Sequence, residues 1–171
     1  GLAGGPTGYV RPMAGDDPNN GSPHRPIVGR AVELEIVLDH VRSQGQVLIS
    51  GEAGVGKSTL LDTVASQLRA TGFVVYRVAG TEALVDHPLA ALGHLVGDPG
   101  ERSGPALASF AADGLHALAR GSRAAIVVDD AHALDPWSLH VIAQVRSNDG
   151  PRTVLAARRG STLSDSVAAF G

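Results

Sequence analysis

A glycine-rich run that holds the only lysine is the clearest candidate for chemistry in this sequence. Residues 51–59 read Gly-Glu-Ala-Gly-Val-Gly-Lys-Ser-Thr and fit the pattern G-x-x-x-x-G-K-[ST], the P-loop, which binds phosphate between a strand and a helix. Its glycines allow positive φ, so that backbone N–H groups can face a polyphosphate at the positive end of the next helix. The residues expected to contact the nucleotide here are Glu52, Ala53, Gly54, Val55, Gly56, Lys57, Ser58 and Thr59.

Lys57 and Ser58 are the two side chains of this run with defined chemical roles. In such a loop the lysine reaches the β and γ oxygens of the nucleotide and assists catalysis, and the serine hydroxyl holds Mg²⁺. With 22 glycines in the chain, a plain glycine-rich turn is the alternative. However, Lys57 is the only lysine among 14 Lys and Arg residues, which favours a role that needs a compact ammonium group.

Two adjacent acids, Asp129 and Asp130, follow the apolar run 124–128. A buried strand that ends on paired carboxylates suffers like-charge repulsion and desolvation, and a bound Mg²⁺ with its waters would remove that penalty. Asp129 therefore fits the role of the acid that holds the metal together with Ser58. Asp130 fits the role of the acid that polarises an attacking water. The alternative is that both acids lie in a solvated turn.

Arg158 ends the last apolar run, Thr153 to Ala157. A guanidinium at the carboxyl edge of a sheet, next to a phosphate pocket, is placed to sense the γ-phosphate and to take part in catalysis. A solvated surface arginine is the alternative.

Composition limits the classes of function. With 171 residues and 43% hydrophobic content, the chain can form one domain with a substantial core. A net charge of −3 provides no positive surface for nucleic acid or an anionic membrane, so we expect neither partner for this chain. The absence of cysteine excludes disulfides and thiolate metal sites and is compatible with a cytoplasmic location.

The candidate residues must be positioned by strands that alternate with helices. This alternation predicts an α/β fold with a mainly parallel central sheet covered by helices on both faces, and the P-loop motif at residues 51–59 makes the expected fold class a three-layer P-loop NTPase. Asp135-Pro136 should begin a helix, with the Asp as N-cap, so we expect Asp135 and His132 to be structural. Strands are predicted over 47–49, 73–78, 124–128 and 153–157, and helices over 34–41, 60–68, 88–96, 106–120 and from 136 onward.

The domain boundaries follow from a change of composition near residue 27. Residues 1–26 hold six Gly and five Pro with little apolar periodicity, so we expect a disordered leader or an expression remnant. We expect residues 27–171 to form the P-loop NTPase domain and to end before a lid.

Together these residues resemble a known family. Val28-Gly29-Arg30, the loop 51–59, the run Val128-Asp129-Asp130-Ala131-His132 and the strand ending in Arg158 resemble the nucleotide-binding domain of STAND and AAA+-type P-loop ATPases. The sequence is most similar to the large ATP-binding transcriptional regulators of the LuxR family. The resemblance implies that Val28 and Gly29 lie beside the adenine, and that the Arg158 strand lies between the P-loop strand and the Asp129 strand.

The resemblance also implies a function. We expect a bacterial signalling or transcriptional switch module that binds ATP or ADP with Mg²⁺ and hydrolyses ATP slowly, since many related ATPases have Glu where Asp130 stands. DNA binding is expected only from other segments of such regulators, and self-association that depends on nucleotide stays open. Two alternatives remain, a small-molecule kinase and a nucleotide-binding scaffold without turnover.

Overall fold

The computed structural model describes residues 30–145 and 150–161. Val28 and Gly29, the predicted adenine-side residues, lie outside this range, as do residues 1–26. Four strands are described: β1 Gln46–Gly51, β2 Phe73–Ala79, β3 Arg123–Asp129 and β4 Arg152–Arg158. The helices are α1 Ala31–Gln44, α2 Lys57–Ala70, the single turn α3 Gly93–Val96, α4 Gly104–Leu118 and α5 Pro136–Gln144. Two short 3₁₀ turns cover Glu82–Leu84 and Ala131–Ala133.

The four strands form one parallel sheet in the order β1-β4-β3-β2. This confirms the predicted fold class, and it places β4 between the P-loop strand and the Asp129 strand, as the resemblance implied. Gly51 pairs with Arg158, and Ala79 pairs with Asp129. Because parallel strands share their carboxyl edge, the P-loop, the two acids and Arg158 all lie at the same edge of the sheet.

Helices cover both faces of this sheet. Inward-facing residues of β3 alternate between the two layers: Ala125 and Val127 pack with α1 and α2, while Ile126 and Val128 pack with α4 and α5. All five residues from Ala124 to Val128 are 3% exposed or less. A strand buried on both faces has no polar side to show, which explains its continuous apolar run.

The helix predicted over 88–96 is wrong. Only Gly93–Val96 is helical, and the residues before it form turns in which Leu89 has a φ of 59°. The backbone N–H of Leu89 donates a hydrogen bond to Oδ1 of Asp135 at 3.0 Å. Leu89 and Leu92 are still buried, at 3% and 0% exposure. Their spacing therefore predicted correctly that they are buried, but it did not predict the backbone conformation.

The start of α5 agrees with the sequence prediction. Asp135 is the N-cap and its side chain accepts a hydrogen bond from the N–H of Ser138, while Pro136 occupies the first helical position. In the described ranges, none of the helices combines the length and the apolar character that a bilayer span requires.

Candidate functional site

A cavity of about 250 Å³ lies at the carboxyl edge of the sheet. It brings together the P-loop, the end of β3 and the end of β4, as predicted. Three predicted contact residues, Glu52, Val55 and Thr59, are not among those that line it. The lining residues are Ala53, Gly54, Gly56, Lys57, Ser58, Asp129, Asp130 and Arg158.

The P-loop backbone has the conformation that its glycines permit. Gly54 and Gly56 have φ values of 77° and 83°, in the left-handed region that residues with a Cβ rarely adopt. Gly56 is the N-cap of α2, which begins at Lys57, and it has no side chain to occupy the first N–H groups of that helix. These N–H groups are therefore available to an anion at the positive end of the helix.

Lys57 holds the beginning of its own loop. Its ammonium donates to the carbonyl oxygens of Gly51 at 2.9 Å and Glu52 at 2.7 Å. An ammonium group has three N–H donors, so these two contacts leave one for a ligand in the cavity. The side chain is thus positioned before any phosphate binds.

The turn after β3 positions the two acids differently. Oδ1 of Asp129 accepts a hydrogen bond from the backbone N–H of Asp130 at 2.9 Å. Asp130 is in the left-handed conformation, with φ 47° and ψ 45°, and its side chain is 59% exposed. Both acids line the cavity together with residues of the phosphate-binding loop.

Gly80 allows this turn to pack against the end of β2. Its N–H donates to the carbonyl of Asp129 at 2.9 Å, and a Cβ at this position would lie 2.2 Å from the carbonyl oxygen of Asp130. The sequence prediction assigned Gly80 no role in the site. The available signal was a glycine directly after a strand, where a close backbone approach is a common reason for glycine.

His132 links the ends of β3 and β4. Its Nδ1 accepts a hydrogen bond from the backbone N–H of Arg158 at 3.4 Å and lies 3.9 Å from Oδ1 of Asp130. Accepting this bond requires a lone pair on Nδ1, so the proton of the neutral ring is on Nε2. His132 thus has a structural role, as expected, and the part of the structure that it holds together is the candidate site itself.

Ser58 and Asp129 fit the metal role predicted for them. Ser58, from the phosphate-binding loop, and Asp129, from the end of β3, line the same cavity. Within the described residues, no cluster of three or more His, Cys, Asp or Glu side chains could form an all-protein metal cage. Mg²⁺ is commonly held in this way, by one or two protein oxygens together with phosphate oxygens and water.

Arg30 contacts the P-loop from the beginning of α1. Its guanidinium donates to the carbonyl oxygen of Val55 and, at 3.3 Å, to that of Gly56. Its Nε lies 3.5 Å from Oε2 of Glu33. The sequence prediction used Arg30 only as part of the Val28-Gly29-Arg30 motif, and local spacing holds no signal for contacts 25 and 26 residues away.

Comparison with protein families agrees with this geometry. The family model described as an AAA domain matches residues 40–160. The chain belongs to this family. The AAA+ P-loop part of the predicted resemblance is thereby confirmed, and the likeness to STAND ATPases and to LuxR-family regulators stays a prediction. A comparison with curated proteins finds no match.

Solved structures of two other proteins are also similar to this AAA domain. AMPPCP-bound DnaA from Aquifex aeolicus has 16% identity and a TM-score of 0.49, with 83% of this chain and 43% of that chain covered. PCH-2 from C. elegans has 15% identity and a TM-score of 0.49, with 81% of this chain and 39% of that chain covered. The chain thus spans less than half the length of either protein.

Proposed function

We propose that this AAA domain is an ATP·Mg²⁺-binding switch module that hydrolyses ATP slowly within a bacterial signalling or transcriptional regulator. The observation that carries the proposal is the cavity that unites the P-loop with Asp129, Asp130 and Arg158. Hydrogen-bond donors that can bind phosphate, a carboxylate that can hold a metal ion and a second carboxylate all line this one cavity. Phosphoryl chemistry requires these groups together.

Binding rests on the P-loop. Its N–H groups and the remaining N–H of Lys57 would hold the phosphates, and Ser58 and Asp129 would hold Mg²⁺ or its waters. When bound, the metal neutralises charge on the phosphate oxygens. Val28 and Gly29 are proposed to lie beside the adenine, a role that rests on the family resemblance alone.

Slow turnover is proposed from the environment of Asp130. This carboxylate would orient and polarise a water, but its side chain is 59% exposed and therefore well hydrated. Charge-based catalysis is strongest where water is excluded, so an open carboxylate favours binding and switching over rapid turnover. Asp is also one methylene shorter than the Glu that many related ATPases have at this position.

The switch role is supported by the connection between the two catalytic candidates. Arg158 would meet the γ-phosphate, and its backbone is hydrogen-bonded to His132, which lies beside Asp130. A phosphate that attracts Arg158 would thus act on β4 and on the turn after β3 at once. Ligands of this kind act by binding one of two conformations more tightly than the other.

Calorimetric titration with Mg·ATP and Mg·ADP tests the proposal directly. We expect both to bind the parent protein, and Lys57→Ala to bind at least tenfold more weakly, about 1.4 kcal/mol. Equal binding by the parent and the variant would refute the P-loop assignment.

Phosphate release separates the three functions. Slow release of free phosphate that is independent of added alcohols or acids supports the switch module, whereas ADP that forms without free phosphate and only when an acceptor is present indicates a kinase. Binding of ATP with formation of neither ADP nor phosphate under either condition indicates a scaffold. Light scattering with and without ATP tests the further prediction of nucleotide-dependent self-association.

A further inference from the structure

The contacts of Arg30 with the P-loop have no role in the mechanism above. Two terminal nitrogens of one guanidinium hold the carbonyl oxygens of two consecutive residues, Val55 and Gly56. The side chain is 28% exposed, and its third nitrogen, Nε, forms an ion pair with Oε2 of Glu33 at 3.5 Å. This forked geometry suits the planar, rigid donor set of arginine.

Arg30 approaches the loop from outside the cavity. It is not among the residues that line the cavity, whereas Gly56 and Lys57 are. No peptide bond in the described chain is cis, and in a trans peptide the C=O and the following N–H point in opposite directions. Carbonyls of Val55 and Gly56 that face Arg30 therefore direct the N–H groups of Gly56 and Lys57 away from it.

We propose that Arg30 is a positioning residue that sets the direction of these two N–H donors before phosphate arrives. The proposal rests on the proposed nucleotide binding. Gly56 has a φ of 83° and no Cβ, so sterics restrain the adjacent peptide planes only weakly. A guanidinium that fixes both planes lowers the entropy lost when the ligand orders them.

The two planes depend on Arg30 to different degrees. The carbonyl of Gly56 also accepts a hydrogen bond from the N–H of Leu60, at 3.1 Å, as part of α2. The helix therefore helps to hold the plane that carries the Lys57 N–H. The plane that carries the Gly56 N–H depends more on Arg30, so the Gly56 amide should respond more strongly to its loss.

If Arg30 positions the N–H groups that bind phosphate, its loss should weaken binding whether or not the ligand carries an adenine base. Arg30→Met keeps the apolar stem of the side chain and removes all its donors. We expect the affinities for Mg·ATP, Mg·ADP and Mg·tripolyphosphate to fall by the same factor, about fivefold or more, as for the loss of hydrogen bonds from a charged donor. An arginine that contacted the adenine would change the first two affinities and spare the third.

Arg42→Met is the matched control. Arg42 lies on the same helix and makes a similar i,i−3 ion pair, with Asp39 at 3.5 Å, far from the P-loop along α1. The Arg42→Met variant loses the same charge as Arg30→Met and keeps the same apolar stem, but it loses no contact with the P-loop. The three affinities should therefore stay within about twofold of the parent values. Equal losses in both variants would show a long-range charge effect and overturn the proposal.

Amide NMR spectra of the nucleotide-free protein give a readout that does not need binding. In Arg30→Met the Gly56 resonance should shift strongly, the Lys57 resonance less, and neither should shift in Arg42→Met. Arg30→Gln, which keeps one amide donor, should give intermediate shifts and serves if Arg30→Met does not fold. An unchanged Gly56 amide in both Arg30 variants refutes the inference, whereas a parent protein that binds none of the three ligands refutes the proposed function instead.

Discussion

The aspartates that follow β3 occupy two contrasting regions. Asp135, at the start of α5, is 2% exposed and accepts hydrogen bonds from the N–H of Leu89, the N–H of Ser138 and the Ser138 hydroxyl, at 3.0, 2.9 and 2.6 Å. Asp130, at the cavity, is 59% exposed on its side chain. Identical side chains therefore serve different ends. A carboxyl group saturated with protein donors supports the fold, and one left open toward a cavity is available to a ligand.

Removing the buried acid should have the largest effect on stability. Asp135→Ala deletes the helix N-cap and leaves the Leu89 N–H and the Ser138 hydroxyl without their partner. We expect the free energy of unfolding in urea to fall by about 2–4 kcal/mol. Asp130→Asn, which tolerates the left-handed backbone, should change it by less than about 0.5 kcal/mol. Equal losses would remove the distinction between the two regions.

The Asp130 turn itself can be broken through Gly80. In Gly80→Ala the new Cβ would lie 2.2 Å from the Asp130 carbonyl, a backbone atom that cannot rotate away. We expect a loss of about 1–3 kcal/mol in unfolding free energy, accompanied by weaker ATP binding as the acids move. Gly93→Ala is the control, because its Cβ would meet no atom within 4 Å. Comparable stability of the two variants in thermal melts would contradict the close packing of this turn.

Loss of Lys57 should affect binding rather than folding. Lys57→Ala removes the cation that the phosphate-binding loop contributes to the cavity but no buried apolar contact, so ATP affinity should fall by more than tenfold, about 1.4 kcal/mol. Urea unfolding should shift by less than about 0.5 kcal/mol. A large loss of stability would show that the contacts of Lys57 with the Gly51 and Glu52 carbonyls hold the fold as well as the loop.

The smallest effects should separate the two cavity acids from each other. Asp129→Asn should weaken only the Mg²⁺-dependent part of ATP affinity, by about tenfold or less. Asp130→Asn should leave ATP affinity unchanged and lower phosphate release by about tenfold or more. Titrations with and without Mg²⁺, together with a phosphate-release assay, measure both. Equal changes in binding would show that the two carboxylates share one role.

The strands, and the residues that the structure brings together at the cavity, could be predicted because their signals are local. The P-loop has a fixed spacing, and the double burial of β3 produces an unbroken apolar run that ends on Asp129. The N-cap role of Asp135 is also local, since Pro136 and the N–H of Ser138 are its neighbours. Only the position of β4 between β1 and β3 required the family resemblance.

Other features depend on contacts that no local pattern contains. Leu89 leaves the helical conformation because its N–H bonds to Asp135, 46 residues away. Arg30 reaches the carbonyls of Val55 and Gly56 only because α1 packs beside α2 in the folded chain. The spacing of the leucines predicts which side chains are buried, whereas the backbone conformation at Leu89 depends on a long-range hydrogen bond.

The position of β4 also determines when the domain can assemble. Within the described sheet, β1 pairs only with β4, and the paired residues Gln46 and Thr153 are more than one hundred positions apart. During synthesis, β1 and its P-loop therefore leave the ribosome long before their partner strand exists. Such distant pairings fold slowly and leave an unpaired strand edge exposed in the meantime. The nascent chain would thus be most vulnerable to misassociation before it could hold its own nucleotide.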